Sequence, residues 1–348
     1  MQTKYYKVDP TSPDTAIMNE AAELIRQGEL VAFPTETVYG LGANGLDAQA
    51  VAKVFRAKGR PSDNPLILHI DAADKIYDLA ASVPASVKAL TECYWPGPLT
   101  VVVERQPHVP NAVTGGLNTV AIRLPSSPVA RELIRLAGVP VAAPSANTSG
   151  RPSPTTAKDV LADLDGKVAA IIDAGPCAIG LESTVIDCTT PVPTLLRPGG
   201  ITYEMLIEVL GDIEIDPGLA GSQAVPKSPG MKYTHYAPIA PMILIEAEPA
   251  AAAALIKREI NQALAAGKIV GAIVSAELAD SLPPATLTAV YGSRADVACI
   301  AANLYTALRS FDDKIVDIIY AEGIAEHGLG LAVMNRMRKA AGYRIIHA

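Results

Sequence analysis

The sequence predicts an α/β protein with two domains, of which the second is a small parallel-sheet domain. The chain has 348 residues, which is too long for one average domain and suits two. Short apolar segments with the alternation of strands recur through its first part, joined by loops rich in Pro, Gly, Ser and Thr. Beyond Pro241, strands and helices alternate regularly. We therefore expect a first domain over 1–212, a linker or lid over 213–238 and a second domain over 239–348.

In the first domain the pattern predicts helices at both ends and strands between them. Residues 14–28 form an amphipathic helix that stops at Gly28, and Asp47 caps a second helix that ends at Gly59. A further helix is predicted over 202–210. Strands are predicted over 30–33, 66–70, 99–104, 119–124, 139–143, 168–173, 184–187 and 194–196.

The second domain follows a change of composition. Residues 216–229 are dominated by Gly, Pro, Ala, Ser and Asp, which is typical of a linker. Strands are then predicted over 242–246, 269–275 and 316–321, with helices over 250–266, 297–309 and 331–341. This alternation predicts parallel strands connected by helices.

Composition limits the class of protein. The chain is 49% hydrophobic, which indicates a globular fold, and its net charge of −7 argues against a coat of nucleic acid. Its four cysteines are scattered without a C-x-x-C pair, so we expect reduced thiols and no zinc ribbon. No apolar run approaches the length of a membrane span, and the N-terminus has no signal-peptide core. These features together predict a cytoplasmic protein.

Some motifs point to sites that we do not expect. Gly40–Gly45 spells G-x-G-x-x-G, but Pro34 breaks the strand before it and the next helix starts only after Asp47, so we interpret it as a glycine turn. There is no phosphate-binding G-x-x-x-x-G-K-[ST], and the five histidines lack metal-ligand spacing. Cys177 and Cys188 lie in apolar strand contexts, which favours core residues over nucleophiles.

A cluster of cations follows the second helix. Lys53 and Arg56 suit the C-terminal end of a helix, where positive charge complements the dipole. Lys58 and Arg60 flank Gly59 and continue into a loop with two prolines, where the chain cannot be helical. A lysine ammonium beside an arginine guanidinium is a suitable pair of cations for binding a polyphosphate.

Strand alternation exposes two further candidates. In the segment 119–124, Val120, Ile122 and Leu124 share the apolar face, so Arg123 lies on the other face with Thr119 and indicates a bound anion. His69 similarly lies opposite Leu68, although a histidine in such a position is more often a half-buried structural residue than a ligand.

Polar loops that leave the strands supply hydrogen-bond donors. These loops run over 34–37, 144–153 and 182–184. Arg197 follows another predicted strand and adds a further cation. Ordinary turn chemistry is the competing interpretation, which we prefer for 148–150. At the domain junction, Lys232, His235 and Tyr236 occur within five residues, a composition that favours a lid over a plain tether.

These segments together resemble the Sua5 branch of the Sua5/YrdC/YciO family, the threonylcarbamoyl-AMP synthases. The matching text is Phe33–Gly42, Lys58–Arg60, Asn64–Leu66, Trp95–Thr100, Ala143–Asn147, Glu182–Thr184, Leu196–Gly199 and Pro229–Pro238. The resemblance implies a YrdC-like domain with a twisted mixed sheet and a concave active site, followed by a smaller Rossmann-like Sua5 domain.

The resemblance also implies a reaction. Enzymes of this family join L-threonine, bicarbonate and ATP into threonylcarbamoyl-AMP and pyrophosphate, for the t6A modification of adenosine 37 in tRNAs that read ANN codons. The implied partners are these substrates, Mg²⁺ carried with ATP, the downstream tRNA threonylcarbamoyl transferase machinery and a weak contact with tRNA, without a membrane.

Residues are carried over onto the matching positions only. Lys58, Arg60 and Arg123 are the expected catalytic residues. Threonine is expected to contact Thr35, His69, Arg123, Ala143 and Ser183. ATP is expected to contact Lys58, Arg60, Thr119, Ser145, Asn147, Ser153, Arg197 and Tyr236.

Two other functions compete with the synthase. The cationic groove of the first domain could hold an RNA backbone, although the net charge of −7 and the shortage of Trp and Phe argue against an RNA-binding module. A carbamoyl-AMP-forming enzyme that uses carbamoyl phosphate is the second, but the chain lacks the acylphosphatase and zinc-finger regions of such proteins.

Overall fold

The computed structural model describes residues 2–220 and 235–347. They form two compact units: the first comprises 2–149 and 154–220, and the second comprises 150–153 and 235–347. The short loop 150–153 thus packs with the second unit although the first unit surrounds it in sequence. The predicted linker, 213–238, begins with a strand of the first unit, and its residues 221–234 lie outside the described residues.

The described part of the first unit contains one mixed sheet and eight α-helices. The strand order is β1-β8-β2-β3-β7-β4-β6-β5-β9-β10-β11. The strands are β1 Lys4–Lys7, β2 Val31–Phe33, β3 Gly40–Asn44, β4 Ile67–His69, β5 Leu99–Glu104, β6 Thr119–Arg123, β7 Val141–Ala142, β8 Ala170–Asp173, β9 Thr184–Asp187, β10 Thr194–Arg197 and β11 Glu214–Ile215. The helices are α1 Thr15–Arg26, α2 Ala48–Lys58, α3 Ile76–Leu79, α4 Ala85–Tyr94, α5 Asn111–Thr114, α6 Pro128–Ala137, α7 Ala157–Leu164 and α8 Tyr203–Leu210.

The predicted alternation of β4 and β6 is confirmed. Leu68 and Ile122 belong to the main core, whereas Ile67 and Ala121 belong to a small cluster on the opposite face of the sheet. On that opposite face, α1 and α6 cover the half of the sheet around β2 and β7. The small cluster on β4, β6, β5, β9 and β10 contains only five residues, so the rest of this half-face is available for polar side chains.

The prediction of a glycine turn at Gly40–Gly45 was wrong. Residues 40–44 are strand β3, antiparallel to β2 and β7, and none of its glycines has a positive φ. The reason for glycine is close packing: a Cβ on Gly42 would lie 2.8 Å from the Phe33 ring and 2.9 Å from Val141 Cγ1. The motif therefore brings neighbouring strands together and is no dinucleotide site.

The second unit contains a five-stranded sheet in which every pairing is parallel. Parallel pairing was predicted, but only three of the five strands were, since β14 and β16 were missed. The strand order is β14-β13-β15-β12-β16. Helix α9 packs on one face through Ile256 and Ile260, whereas Phe311 contacts Gly271 on the other. The strands are β12 Met242–Glu246, β13 Val270–Ser275, β14 Leu287–Gly292, β15 Ile318–Glu322 and β16 Ile345–His347; the helices are α9 Pro249–Ala265, α10 Ala276–Ala279, α11 Val297–Arg309 and α12 Leu329–Ala340.

Among the described residues, no helix combines the length and the apolar character that a membrane crossing requires.

Candidate active site

Five polar side chains lie side by side across the partly uncovered half of the first sheet. His69 of β4 and Thr100 of β5 both pair in register with Arg123 of β6. Thr100 Oγ1 lies 2.7 Å from Ser183 Oγ, which also accepts a hydrogen bond of 3.1 Å from Arg197 Nη2. We call His69, Arg123, Thr100, Ser183 and Arg197 the polar row. All five side chains belong to buried residues.

Arg123 is held by a loop that connects β2 to β3. Its Nη2 donates to Glu36 Oε1 at 2.7 Å, its Nη1 to Thr37 Oγ1 at 2.9 Å and its Nε to the carbonyl of Gly97 at 3.3 Å. The anion that the strand position of Arg123 indicated is thus, in part, the protein's own Glu36. These contacts fix the guanidinium in one orientation.

Thr35 organises the same loop. Its Oγ1 donates to the carbonyl of Val38 at 2.7 Å and accepts from the amides of Thr37 and Val38. Its Oγ1 also lies 2.8 Å from Thr37 Oγ1, so the two hydroxyls and Arg123 form one hydrogen-bonded chain. Thr35 therefore shapes the loop that presents Glu36 to the polar row.

His69 is an uncharged member of the row. Burial, reinforced by the positive charge of Arg123, lowers the pKa of His69 to about 3. Its ring stands edge-on to Phe33 at 6.4 Å, and its Nδ1 has no hydrogen-bond partner among the described residues. A neutral imidazole can exchange hydrogen bonds with a ligand without adding charge.

The neutrality of His69 predicts an acid-sensitive contribution to stability. Between about pH 6.5 and about pH 3 the unfolded chain binds a proton at His69 that the folded chain does not, so stability falls by about 1.4 kcal/mol per pH unit as the pH drops. From pH 7.5 to about pH 5 the wild type should thus lose about 2 kcal/mol more than His69→Asn. Urea unfolding of both proteins measures this, and equal losses would contradict the buried neutral histidine.

A second group of residues surrounds the buried amine of Lys58. Lys58 is 2% exposed, and its Nζ donates to the carbonyls of Ser145 and Asn147 at 2.5 and 2.6 Å. Ser145 Oγ donates in turn to Asn147 Oδ1 at 2.6 Å. Lys58 ends helix α2, and Gly59 follows with a φ of +61°. The lysine therefore anchors the loop 145–147, which the resemblance assigns to ATP.

Strand register places this second group at the other end of β4 and β6 from the polar row. The amide of Ala143 bonds to the carbonyl of Ile67 at 3.0 Å, so Ser145 lies beyond the start of β4 whereas His69 ends it. Thr119 starts β6 and Arg123 ends it, which separates them by about 13 Å. Two polar groups thus lie one short strand apart.

The other expected ATP contacts are distributed between the two units. Arg60 donates from Nη2 to the carbonyl of Pro65 at 3.3 Å, which places it before β4. Ser153 and Tyr236 belong to the second unit, where Tyr236 packs on Tyr305 with ring centroids 5.4 Å apart. Tyr236 has a φ of +66° and lies 5.9 Å from the guanidinium of Arg336.

Three members of the site were not predicted individually from the sequence: Glu36, Thr37 and Thr100. Glu36 and Thr37 stand next to Thr35, and Thr100 is the single polar residue inside the apolar strand β5. An isolated hydroxyl among valines was the available signal. The contact of Glu36 with Arg123 spans 87 residues, and no local pattern predicts it.

Gly199 fixes the backbone beneath Ser183. A Cβ on Gly199 would lie 2.4 Å from the amide nitrogen of Thr184 and 2.5 Å from the carbonyl of Glu182. Only glycine allows this approach, so the Arg-Pro-Gly segment after β10 supports the Glu-Ser-Thr segment before β9.

Neither buried cysteine belongs to the polar row. Cys177 and Cys188 are buried, as expected, and burial raises the pKa of Cys188 to about 12 and that of Cys177 still further. In the described part of the chain, no group of three or more His, Cys, Asp and Glu side chains could hold a metal ion.

Both units match known protein families. A Sua5/YciO/YrdC model described as "Telomere recombination" matches residues 23–199, and a model described as "Threonylcarbamoyl-AMP synthase, C-terminal domain" matches residues 201–342. The threonylcarbamoyl-AMP synthase of Bacillus subtilis is 49% identical over 99% of this chain and 100% of its own length. That of Pyrococcus abyssi is 50% identical over 94% of each chain.

Solved structures agree with these matches. The crystal structure of P. abyssi Sua5 complexed with L-threonine superposes with a TM-score of 0.95 at 48% identity and covers 99% of this chain and 100% of that one. A P. abyssi Sua5 variant with a histidine and a tyrosine changed to alanine gives the same TM-score at 47% identity, over 99% of this chain and 98% of the other. The chain belongs to the Sua5/YciO/YrdC family of threonylcarbamoyl-AMP synthases, in its two-domain Sua5 form.

Proposed function

We propose that this protein is an L-threonylcarbamoyladenylate synthase, a nucleotidyltransferase that joins L-threonine, bicarbonate and ATP and releases pyrophosphate. The observation that carries the proposal is the pairing of two polar groups at opposite ends of β4 and β6. The polar row supplies two arginines, two hydroxyls and a neutral imidazole, which suit an amino acid. The group around Lys58 and the loop 145–147 supplies amides, hydroxyls and cations, which suit a polyphosphate.

We place threonine on Arg123, Ser183, His69, Thr35 and Ala143, and ATP on the residues expected from the resemblance. The distance of about 13 Å between the ends of β6 is comparable to the combined length of an amino acid and the nearer phosphates of a nucleotide. The α-phosphate can therefore lie between the two groups. Arg197, which donates to Ser183 of the polar row, is proposed to contact ATP from there.

The chemistry requires two steps. The α-ammonium group of threonine first loses one proton to solvent. The neutral amine then adds to the carbon of bicarbonate and water leaves, which yields a carbamate. A carbamate oxygen then attacks the α-phosphorus, the bond to the bridging oxygen breaks, and pyrophosphate departs. Negative charge accumulates on the phosphoryl oxygens, so fixed cations and donors accelerate the second step by positioning and electrostatic stabilisation.

Mg²⁺ is proposed to arrive with ATP. The side chains near the loop 145–147 are a lysine, an amide and a hydroxyl, which suit phosphate oxygens better than a bare cation. When bound, Mg²⁺ would neutralise the phosphates. Lys58 and Arg60 would orient the polypeptide loops around the phosphates.

We propose that Ser153 and Tyr236 contact ATP, as the resemblance implies. A lid over 213–238 would protect the carbamate from water. Most of that segment lies outside the described residues, whereas Tyr236 is anchored by Tyr305 and Arg336. The product would pass to the tRNA threonylcarbamoyl transferase machinery in the cytoplasm for synthesis of t6A.

The direct test is pyrophosphate release from purified full-length protein with L-threonine, bicarbonate, ATP and Mg²⁺, without RNA. We expect release that requires all three substrates. Release that does not depend on threonine would contradict the proposed function. Strong salt-sensitive RNA binding without release would instead favour the RNA-binding module.

A further inference from the structure

Only one of the two carboxylate oxygens of Glu36 has a hydrogen-bond partner among the described residues. Its Oε1 accepts from Arg123, whereas its Oε2 is buried and has no hydrogen-bond partner among the described residues. The Glu36 side chain is 11% exposed and that of Arg123 is 4% exposed. An unsatisfied carboxylate oxygen in such surroundings is costly, so a donor that the chain itself does not supply is expected there.

The guanidinium of Arg123 likewise has more N–H donors than the protein engages. A guanidinium has five N–H donors, and the protein engages three of them, through Glu36, Thr37 and Gly97. The remaining donors suit a carboxylate. One side-chain pair thus offers free donors on its cation and a free acceptor on its anion.

The charge balance of the pair selects the kind of ligand. Arg123 and Glu36 cancel one another, and the neighbouring His69 and Cys177 are neutral near pH 7, because burial lowers the pKa of the first and raises that of the second. A zwitterion can pair its carboxylate with Arg123 and its ammonium with Glu36, whereas a ligand with a carboxylate alone leaves Glu36 Oε2 without a donor and meets its negative charge.

We propose that Glu36 binds the α-ammonium group of the amino-acid substrate through Oε2, while Arg123 holds its α-carboxylate. This assignment rests on the proposed function, since it takes threonine as the substrate. Glu36 would then be a substrate-binding residue that selects amino acids over hydroxy acids. A purely structural Glu36, by contrast, would act only by positioning Arg123.

The two roles differ in their response to a ligand without an ammonium group. The probes are L-threonine and the 2,3-dihydroxybutanoate of matching stereochemistry, in which a hydroxyl replaces the ammonium. Calorimetry with the wild type should show a preference for threonine of at least about 10-fold, the effect of one charged hydrogen bond. Equal affinities in the wild type would overturn the proposal, whatever the variants do.

Glu36→Gln separates the roles further, because the amide can still accept from Arg123 but has lost its negative charge. Threonine should bind at least about 10-fold more weakly, with the hydroxy acid changed less than about two-fold. Parallel losses for both ligands would assign Glu36 to positioning Arg123 alone. Thr37→Val is the matched control: it removes a support of Arg123 without changing charge, so it should weaken both ligands equally.

The role of Glu36 and the synthase activity can be tested separately. Suppose that the wild type releases pyrophosphate in a threonine-dependent manner but does not discriminate between the two probes. The synthase assignment is then supported, and the proposed role of Glu36 is refuted. If threonine supports no release at all, the proposed function itself falls.

Discussion

Replacing Arg123 by alanine is expected to lower threonine-dependent pyrophosphate release by about 10³-fold. The guanidinium is the charged centre of the polar row, and its three protein contacts hold it in one orientation. The substitution also leaves Glu36 buried without its counter-ion, which should lower the free energy of unfolding by about 3 kcal/mol. The fold is therefore expected to survive with reduced stability. Steady-state kinetics and urea unfolding measure the two effects.

Arg135→Ala is the matched control for that experiment. Arg135 also pairs with a glutamate, Glu132, but its side chain is 57% exposed on helix α6. An exposed pair of this kind contributes little, so activity should not change and stability should change by less than about 1 kcal/mol. Normal turnover by Arg123→Ala, or equal effects of the two substitutions, would contradict the role of the polar row.

Lys58→Met is expected to lower pyrophosphate release by about 10²-fold and to raise the KM for ATP more than that for threonine. Methionine keeps the apolar stem of the side chain, but it cannot bond to Ser145 and Asn147. The loop 145–147 then loses charged hydrogen bonds worth about 1.5–3 kcal/mol each. Kinetics with either substrate varied separate the two KM values.

Lys53→Met on the same helix provides the comparison. Lys53 forms an ion pair of 2.7 Å with Glu29, in which both side chains are about one-third exposed. Its removal should leave both KM values unchanged. If Lys58→Met changed the two KM values equally, the separation of the nucleotide group from the amino-acid group would be refuted.

The parts of the fold that sequence predicted are those governed by local periodicity. Alternation along β4 and β6 placed Leu68 and Ile122 in the core and Arg123 on the other face, because side-chain direction in a strand has a period of two. The second unit followed from its repeating order of strands and helices. Helix α6 was missed although Ser127, Pro128 and Gly138 mark its ends.

The parts that sequence could not supply depend on distant contacts. The glycines of β3 are needed because Phe33 and Val141 lie close on neighbouring strands, and the pairing of those strands is not visible in the sequence. The partnership of Glu36 with Arg123 likewise requires a loop to fold over the sheet. Lys58 was expected to meet phosphate, and its direct contacts with Ser145 and Asn147 became visible only in the folded chain.

The proposed function requires that one chain forms a mixed anhydride between a threonine carbamate and AMP. This product can be detected by mass spectrometry of a reaction with isotope-labelled bicarbonate, L-threonine and ATP. We expect an adenylate whose mass contains threonine, AMP and the labelled carbon, and which is absent when any one substrate is omitted. An adenylate of threonine itself, without the labelled carbon, would refute the proposed function.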